Sequence, residues 1–258
     1  MKRLHTSSSN LGLRFAVIAD CHGNDAALKA VLKDIRSQGI HCIIDLGDCL
    51  SGPLEPAKTA DRLISLDMPT VRGNHDRVLV MDDRASMGPS DAYAAEQLTA
   101  RHRKWLASLP PTLTLWNRVF MCHASPNDDT MRWLDTVGPD GRIGLAERAH
   151  IERLAQGVPY NLILTAHTHV PRCVELDDGR IIVNPGSVGC PGFTDDVPVH
   201  HTMHAGNARA SYVIIEEDMR DWDISFRLVG YDNASAARKA SLNRRPEWAS
   251  ALAKGWVV

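Results

Sequence analysis

The first patterned stretch of the chain is a short apolar run, Leu13 to Ala19, that ends at Asp20. With no polar alternation, it predicts a strand buried on both faces. Apolar positions then recur at helical spacing from Ala26 to Ile35, and Gly39 closes the segment, which predicts a helix and so a β-α unit. The unit repeats: His41 to Leu46 reads as a strand, Pro56 to Leu66 as a helix and Pro69 to Arg72 as a third short strand. Strands joined through helices imply a parallel sheet with right-handed connections.

The second half is patterned differently. Ala92 to Leu109 predicts one helix stopped by Pro110-Pro111, and two strands, Leu113 to Trp116 and Arg118 to Cys122, flank Asn117. A loop rich in Pro, Asp and Gly leads to a helix expected over Gly144 to Ala155, then to a buried strand at Leu162 to Leu164. Arg172 to Leu176 and Arg180 to Val183 flank Asp177-Asp178-Gly179, a hairpin signal, and Ser211 to Glu217 with Trp222 to Val229 predict another. Thr194 to Asn207 reads as a polar loop, and Ala234 to Leu242 and Glu247 to Ala253 as C-terminal helices. Parallel units followed by hairpins predict an α/β fold: a four-layer α/β/β/α sandwich of two mixed sheets with flanking helices. Residues 1–12, polar after Lys2 and Arg3, read as a loose tail, and 13–258 as a single domain that includes the C-terminal helices.

Composition changes this picture little. At 258 residues, 44% hydrophobic and 23% charged, the chain has ample material for a core. A formal net charge of -2 excludes a chain-wide attraction to nucleic acid or anionic lipid, so neither nucleic acid nor a membrane is an expected partner. The start lacks the apolar stretch of a signal peptide and no segment approaches the roughly 18 apolar residues of a membrane span, so a cytoplasmic location is expected. The six cysteines form no CxxC pair, which argues against a zinc ribbon or thioredoxin-type motif and leaves reduced thiols as the default. Cys21 and Cys49, each after an acidic residue, read as buried inert thiols, with oxidation sensitivity beside that acidic group as the alternative.

Chemistry is concentrated in five clusters, each directly after a predicted strand: Asp20-Cys21-His22, Gly47-Asp48, Gly73-Asn74-His75-Asp76, His123, and His167-Thr168-His169. In open α/β sheets, ligands bind beyond the carboxyl ends of the strands, so these clusters are expected at one rim. In an extended chain, side chains at i and i+2 point the same way, which would aim Asp20 with His22 and His167 with His169 at common points. Gly47 and Gly73 allow tight turns before a ligand. Singly, each cluster is a weak signal. In this order they resemble the calcineurin-like metallophosphoesterase superfamily, whose signature runs D-x-H, G-D, G-N-H-D/E, H and G-H-x-H, and the resemblance covers about residues 13–230.

That resemblance implies two divalent metal ions, one held by Asp20, His22 and His169, the other by Asn74, His123 and His167, with Asp48 bridging both. Carboxylate, amide and imidazole donors independently suit Mn, Fe or Zn. Such a site, with a bridging hydroxide, keeps a positive charge that welcomes an anionic phosphate and can activate water for in-line attack. His75 is the candidate acid for the leaving group and Asp76 the residue expected to orient its imidazole. Ala166 departs from the usual glycine before H-x-H, and Asn184 to Gly189 resembles the NPGSVG segment of bacterial members, close to the metal rim. Cys49-Leu50-Ser51-Gly52 and GNHD in place of GNHE set the chain apart from Ser/Thr protein phosphatases and nearer to small bacterial members related to phosphodiesterases and diadenosine-tetraphosphatase-like proteins. The expected activity is phosphodiester hydrolysis on a small-molecule or nucleotide phosphoester. Phosphomonoesterase or protein phosphatase activity is the alternative, and a noncatalytic scaffold, such as the retromer subunit of this fold, a third. Trp133, in the expected substrate segment Ala124 to Gly157, is either a stacking platform or packing. His200, His201 and His204 read as a solvated loop or an extra metal or substrate contact. Arg238, Lys239, Arg244 and Arg245 read as a solvated helical face or a homo-oligomer contact.

Overall fold

The structure is a computed structural model that describes residues 12–81, 83–219 and 221–258. The tail expected over residues 1–12 lies, Gly12 apart, outside the described residues. The predicted units open the fold as β1 (Arg14–Ile18), α1 (Asp25–Ser37), β2 (Ile43–Asp45) and α2 (Pro56–Leu66). The third strand shrinks to one parallel bridge between Asp45 and Thr70, because the chain turns at Gly73 straight into α3 (Asn74–Met81). The single helix expected over Ala92 to Leu109 is two, α4 (Pro89–Gln97) and α5 (Ala100–Ala107). Leu98 is extended between them, and Thr99 caps α5 by accepting from His102 N while the His102 ring accepts from Thr99 N.

Strands β3 (Thr112–Leu115) and β4 (Val119–Cys122) pair antiparallel about Asn117. Where the helix over Gly144 to Ala155 was expected to begin, β6 (Ile143–Leu145) pairs with β5 (Asp135–Val137) in a hairpin, and α6 (Arg148–Leu154) starts later. Then follow β7 (Leu162–Leu164), β8 (Arg172–Glu175) and β9 (Ile181–Asn184). The expected loop at Thr194 to Asn207 contains another hairpin, β10 (Gly192–Asp195) with β11 (His201–His204). The last elements are β12 (Ala210–Asp218), β13 (Asp221–Val229), α7 (Asn233–Leu242) and α8 (Pro246–Lys254).

Two mixed sheets result, ordered β13-β12-β1-β2 and β3-β4-β7-β9-β8. The period-two alternation of β1 divides the core. Phe15 and Val17 face the second sheet, among Val213, Ile215, Met121, Leu162 and Val183. Ala16 and Ile18 face α1, among Leu28, Val31 and Ile35. On the far side, Ile163 and Ile182 pack with Ile151 of α6 and with Trp133. The layers are therefore helix, sheet, sheet, helix. Among the described residues, no helix is long and apolar enough to cross a membrane.

Parallel pairing puts the functional clusters at one edge. β1 runs parallel to β2, and β4 parallel to β7, so the residues that follow each strand emerge on the same side. Leu46, after β2, accepts a hydrogen bond from the His123 ring after β4, at 2.8 Å, which ties the two sheets together at that edge.

Trp133 is 1% exposed and its indole Nε1 donates to Ile151 O at 3.0 Å, so it packs the outer core and is not a substrate platform. Trp133→Ala is expected to cost about 3–5 kcal/mol of unfolding free energy, read from denaturant midpoints; a loss under about 1 kcal/mol would contradict this placement.

Candidate metal centre

The rim is built from turns that hold the backbone in an unusual conformation. Asp20, His22, Asp48, His167 and His169 have positive φ of 53°, 47°, 54°, 71° and 60°. Non-glycine residues in this left-handed region cost on the order of 1–3 kcal/mol each and persist only where neighbours enforce them. The side chains at i and i+2 thus converge through turns, not through the extended backbone expected. Ala166, where glycine is usual, avoids positive φ, and the flanking histidines adopt it instead.

Three sets of contacts enforce these turns. Asp20 N donates to Gly47 O, His22 N to Asp48 O and Gly23 N to Cys49 O, at 2.9–3.0 Å, zipping the first two loops together. The Asn184 to Gly189 segment braces them from behind: Val188 N donates to Ala19 O, Gly189 N to Asp20 O, and Ser187 Oγ to Asp20 O at 2.8 Å. A Cβ on Gly189 would overlap the Cys21 carbonyl oxygen, so only glycine permits this approach. Asp76, fully buried, accepts from the backbone N–H groups of Asp48, Cys49 and Gly73 at 2.9–3.0 Å. It shapes the Asp48 loop and does not orient the His75 imidazole, a correction to the sequence expectation; from the first turn of α3 its carboxylate meets these donors instead.

All seven expected donors meet at this edge. Asp20, His22 and His169 offer ligand atoms within 4.8 Å of one another, and Asp48, His123 and His167 do the same. Asn74 joins the second group, its Oδ1 lying 3.1 Å from His123 Nε2. Asp48 stands between the groups, with Oδ2 3.2 Å from His123 Nε2 and 3.9 Å from His22 Nε2.

The ring orientations are fixed from the backbone. Nδ1 of His22, His123 and His169 lies 2.7–2.8 Å from the carbonyl oxygens of Ser51, Leu46 and Cys190. A carbonyl can only accept, so each Nδ1 carries the hydrogen and each Nε2 turns a lone pair into the site. His22 and His169 then face each other lone pair to lone pair at 3.1 Å, and His123 Nε2 faces the oxygens of Asn74 and Asp48. Only a positive charge between such acceptors, a proton or a metal cation, satisfies them. Both Asp20 oxygens are buried without a well-formed hydrogen bond among the described residues, and only His169 Nε2, 3.5 Å from Oδ1, can bring positive charge to them when protonated, which again calls for a cation. The residues present therefore fit divalent metal.

Protonation follows the same pattern. Burial, reinforced by His169, pushes His22 down to about 4, and burial with His123 nearby pushes His167 down to about 3. Burial opposes charge on His123 too, but Asp48 prevails and raises it to about 10, and Asp20 likewise raises His169. In each group one imidazole is neutral and its neighbour holds a proton where a cation would otherwise sit. Asp48 is held well below the usual carboxylate range: burial opposes ionisation, but His123, His75 and His22 outweigh it.

His75 takes a partner that the sequence did not disclose. Its Nδ1 donates to Asp91 Oδ1 of α4 at 2.8 Å, and the ring lines the same cavity as the metal donors. Burial would lower its pKa, but Asp48 and the Asp91 hydrogen bond raise it to about 9. The cavity holds about 560 Å³ and is also lined by Arg132, Phe193, Arg245 and Trp248. Arg245, expected on a solvated face, is turned in by the start of α8. His201 Nδ1 donates to Val199 O and its Nε2 accepts from Arg132, His200 pairs with Asp196 in solvent, and His204 accepts from Val257 N; none of the three joins either donor group. No local spacing linked Asp91, Phe193 or Arg245 to the motifs, so sequence reading passed over Asp91 and Phe193.

Residues 13–205 match the calcineurin-like phosphoesterase superfamily domain. The chain belongs to that superfamily. This makes it a metallophosphoesterase, a hydrolase acting on phosphoester bonds. An uncharacterized protein of Methanocaldococcus jannaschii is 29% identical over 249 residues, 90% of this chain and 94% of its own. The crystal structure of a metallophosphoesterase from Sphaerobacter thermophilus superposes with a TM-score of 0.71 at 24% identity, covering 95% of this chain and 100% of that one. A structure described only provisionally as a diadenosine tetraphosphatase gives a TM-score of 0.51 at 16% identity over 86% of this chain and 96% of its own. At these identities the two structures speak to the fold alone.

Gly189→Ala in this metallophosphoesterase is expected to cost about 1–3 kcal/mol through overpacking and to weaken metal retention, because the brace behind Asp20 must move. Calorimetry with metal analysis checks both, and wild-type values for the two would contradict the bracing role.

Proposed function

We propose that the protein is a dinuclear phosphodiesterase that cleaves a small-molecule or nucleotide phosphoester with two divalent ions, Mn, Fe or Zn. The observation that carries this reading is the pair of donor groups whose buried lone pairs face one another across Asp48. Asp20, His22 and His169 would hold one ion, Asn74, His123 and His167 the other, and Asp48 both. The bound ions would supply Lewis acidity, lowering the pKa of water and offsetting the charge on the phosphoryl oxygens.

The remaining work falls to the protein. Asp91 holds the His75 ring by Nδ1, so Nε2 is the atom that delivers a proton to the departing alkoxide. When metal draws on the charge of Asp48, the Asp91 hydrogen bond is what continues to favour the imidazolium. Walls from α8 and the β10–β11 hairpin support a small substrate over a loop of a folded protein, because they leave a cavity of about 560 Å³, the size of a small-ligand site.

Metal-stripped protein should hydrolyse a model phosphodiester only when Mn²⁺ is restored, and Asp48→Asn should abolish the activity; preference for a monoester would move the reading to phosphatase, and silence on both with two ions bound would sink it. His75→Ala should slow turnover about 10²–10⁴-fold with two ions still bound; unchanged turnover removes His75 from the mechanism. Because imidazolium is the working form, activity falls as pH rises through the His75 pKa, and removing the Asp91 carboxylate lowers that pKa. Asp91→Asn should therefore move the alkaline limb of the kcat profile to lower pH by about one unit, and an unmoved limb would exclude the pairing. Metal uptake must displace the protons on His123 and His169, so titration calorimetry in buffers of different ionisation enthalpy should show proton release.

A further inference from the structure

The cavity over the metal centre is finished by residues outside the matched family domain. Arg245, Glu247 and Trp248 line it from the start of α8, beyond residue 205 where the match ends. Facing them are Phe193 of β10 and Val197. The Phe193 ring centroid lies 4.8 Å from that of His169, and that of Trp248 lies 5.9 Å from that of His22. Two aromatic side chains from separate elements thus flank the two imidazoles of one donor group. Trp248 is 7% exposed in an apolar cluster with Leu54 and Leu252, and Phe193, packed against that cluster, is the more open of the two rings.

The charged groups of these walls are already compensated. Arg132 donates to Asp195 Oδ2 at 2.6 Å and to His201, and Arg245 pairs with Glu247 while donating Nη1 to Ser90 Oγ at 2.9 Å. Outside the metal donors and His75, each lining guanidinium has a lining carboxylate, which leaves no uncompensated cation for a second phosphate. About 560 Å³ lies within the range of small-ligand sites and accommodates a phosphate with one ring-bearing arm.

We propose that the compartment lined by Phe193, with the Trp248 cluster behind it, binds one neutral, planar aromatic arm of a monoanionic phosphodiester, a nucleoside or aryl group, and rejects dinucleoside oligophosphates. This deepens the phosphodiesterase reading and rests on it for the position of the phosphate. The ring gains apolar burial and an aromatic contact, and the arginine N–H groups not taken by protein acceptors can serve its polar edge.

The test compares bis(p-nitrophenyl) phosphate with methyl p-nitrophenyl phosphate on the Mn²⁺-loaded protein. The two release the same p-nitrophenolate, so the ratio of their kcat/KM values, corrected for the two equivalent leaving groups of the first and the unequal reactivity of the esters, reports the arm that stays. Wild type is expected to favour the aryl arm about tenfold, Phe193→Leu to lose most of that preference and Phe193→Tyr to keep it. Binding of phenylphosphonate against methylphosphonate, by calorimetry on the same proteins, should show the same order. Equal binding of the two phosphonates, or a preference untouched by Phe193→Leu, overturns the proposal even if diesters are hydrolysed. Diadenosine tetraphosphate cleaved with a higher kcat/KM than the aryl diester also overturns it. Selective, Phe193-dependent phosphonate binding without any turnover upholds the aromatic compartment while removing the phosphodiesterase reading, so the two failures are separable.

Discussion

Three main-chain carbonyls, those of Leu46, Ser51 and Cys190, decide the character of the site. By taking the Nδ1 hydrogens of His123, His22 and His169, they fix the tautomer of each ring and turn its remaining lone pair inward. Buried acceptors then confront one another, with Asp20 and Asp48 Oδ2 among them, and among the described residues the one donor to Asp48 is the His75 backbone N–H on its other oxygen. Such an arrangement is unfavourable by itself, and its cost falls away when positive charge enters. The affinity for cations is therefore a property of backbone geometry as much as of the donor side chains, since a carbonyl that moved would release its ring.

The same geometry demands left-handed backbone at Asp20, His22, Asp48, His167 and His169. The surrounding fold offsets this strain with a high density of short-range restraints: the zipped 20–23 and 47–49 turns, the brace from Ser187 to Gly189, and the buried Asp76 gathering three backbone amides. Asp76 is pushed up to about 6 by its burial and by Asp48, and the amides of Gly73 and Cys49 counteract that. Behind all of these, the packed faces of β1 and β4 keep the two halves of the rim from drifting apart.

Much of this was legible in the sequence, for identifiable reasons. β1, α1, β2 and α2 announce themselves because their apolar periods are long or uninterrupted and end in glycine or acidic residues. The five clusters stood out because each directly follows a predicted strand, a local property of the chain, and the ligand roles of the seven donors were implied by the resemblance of that ordered series to the family signature. What stayed hidden depends on distance. Asp91 reaches His75 only because α4 folds back over α3, and Phe193 reaches His169 only because a stretch that reads as polar loop pairs into a hairpin. Asp76 was given the wrong partner because adjacency in sequence says nothing about which neighbour a helix presents to a carboxylate. The split between α4 and α5 was missed because a capping threonine inside a helical period is a weak signal.

One wall of the cavity comes from a different stretch of chain than the donors. Every donor residue of the candidate metal centre lies between Asp20 and His169, whereas Arg245, Glu247 and Trp248 arrive with a helix outside the matched domain. Recognition is consequently divided along the sequence: a lineage that reshaped the segment after residue 205 could alter one wall of the cavity while inheriting the donors and the wall built by Phe193.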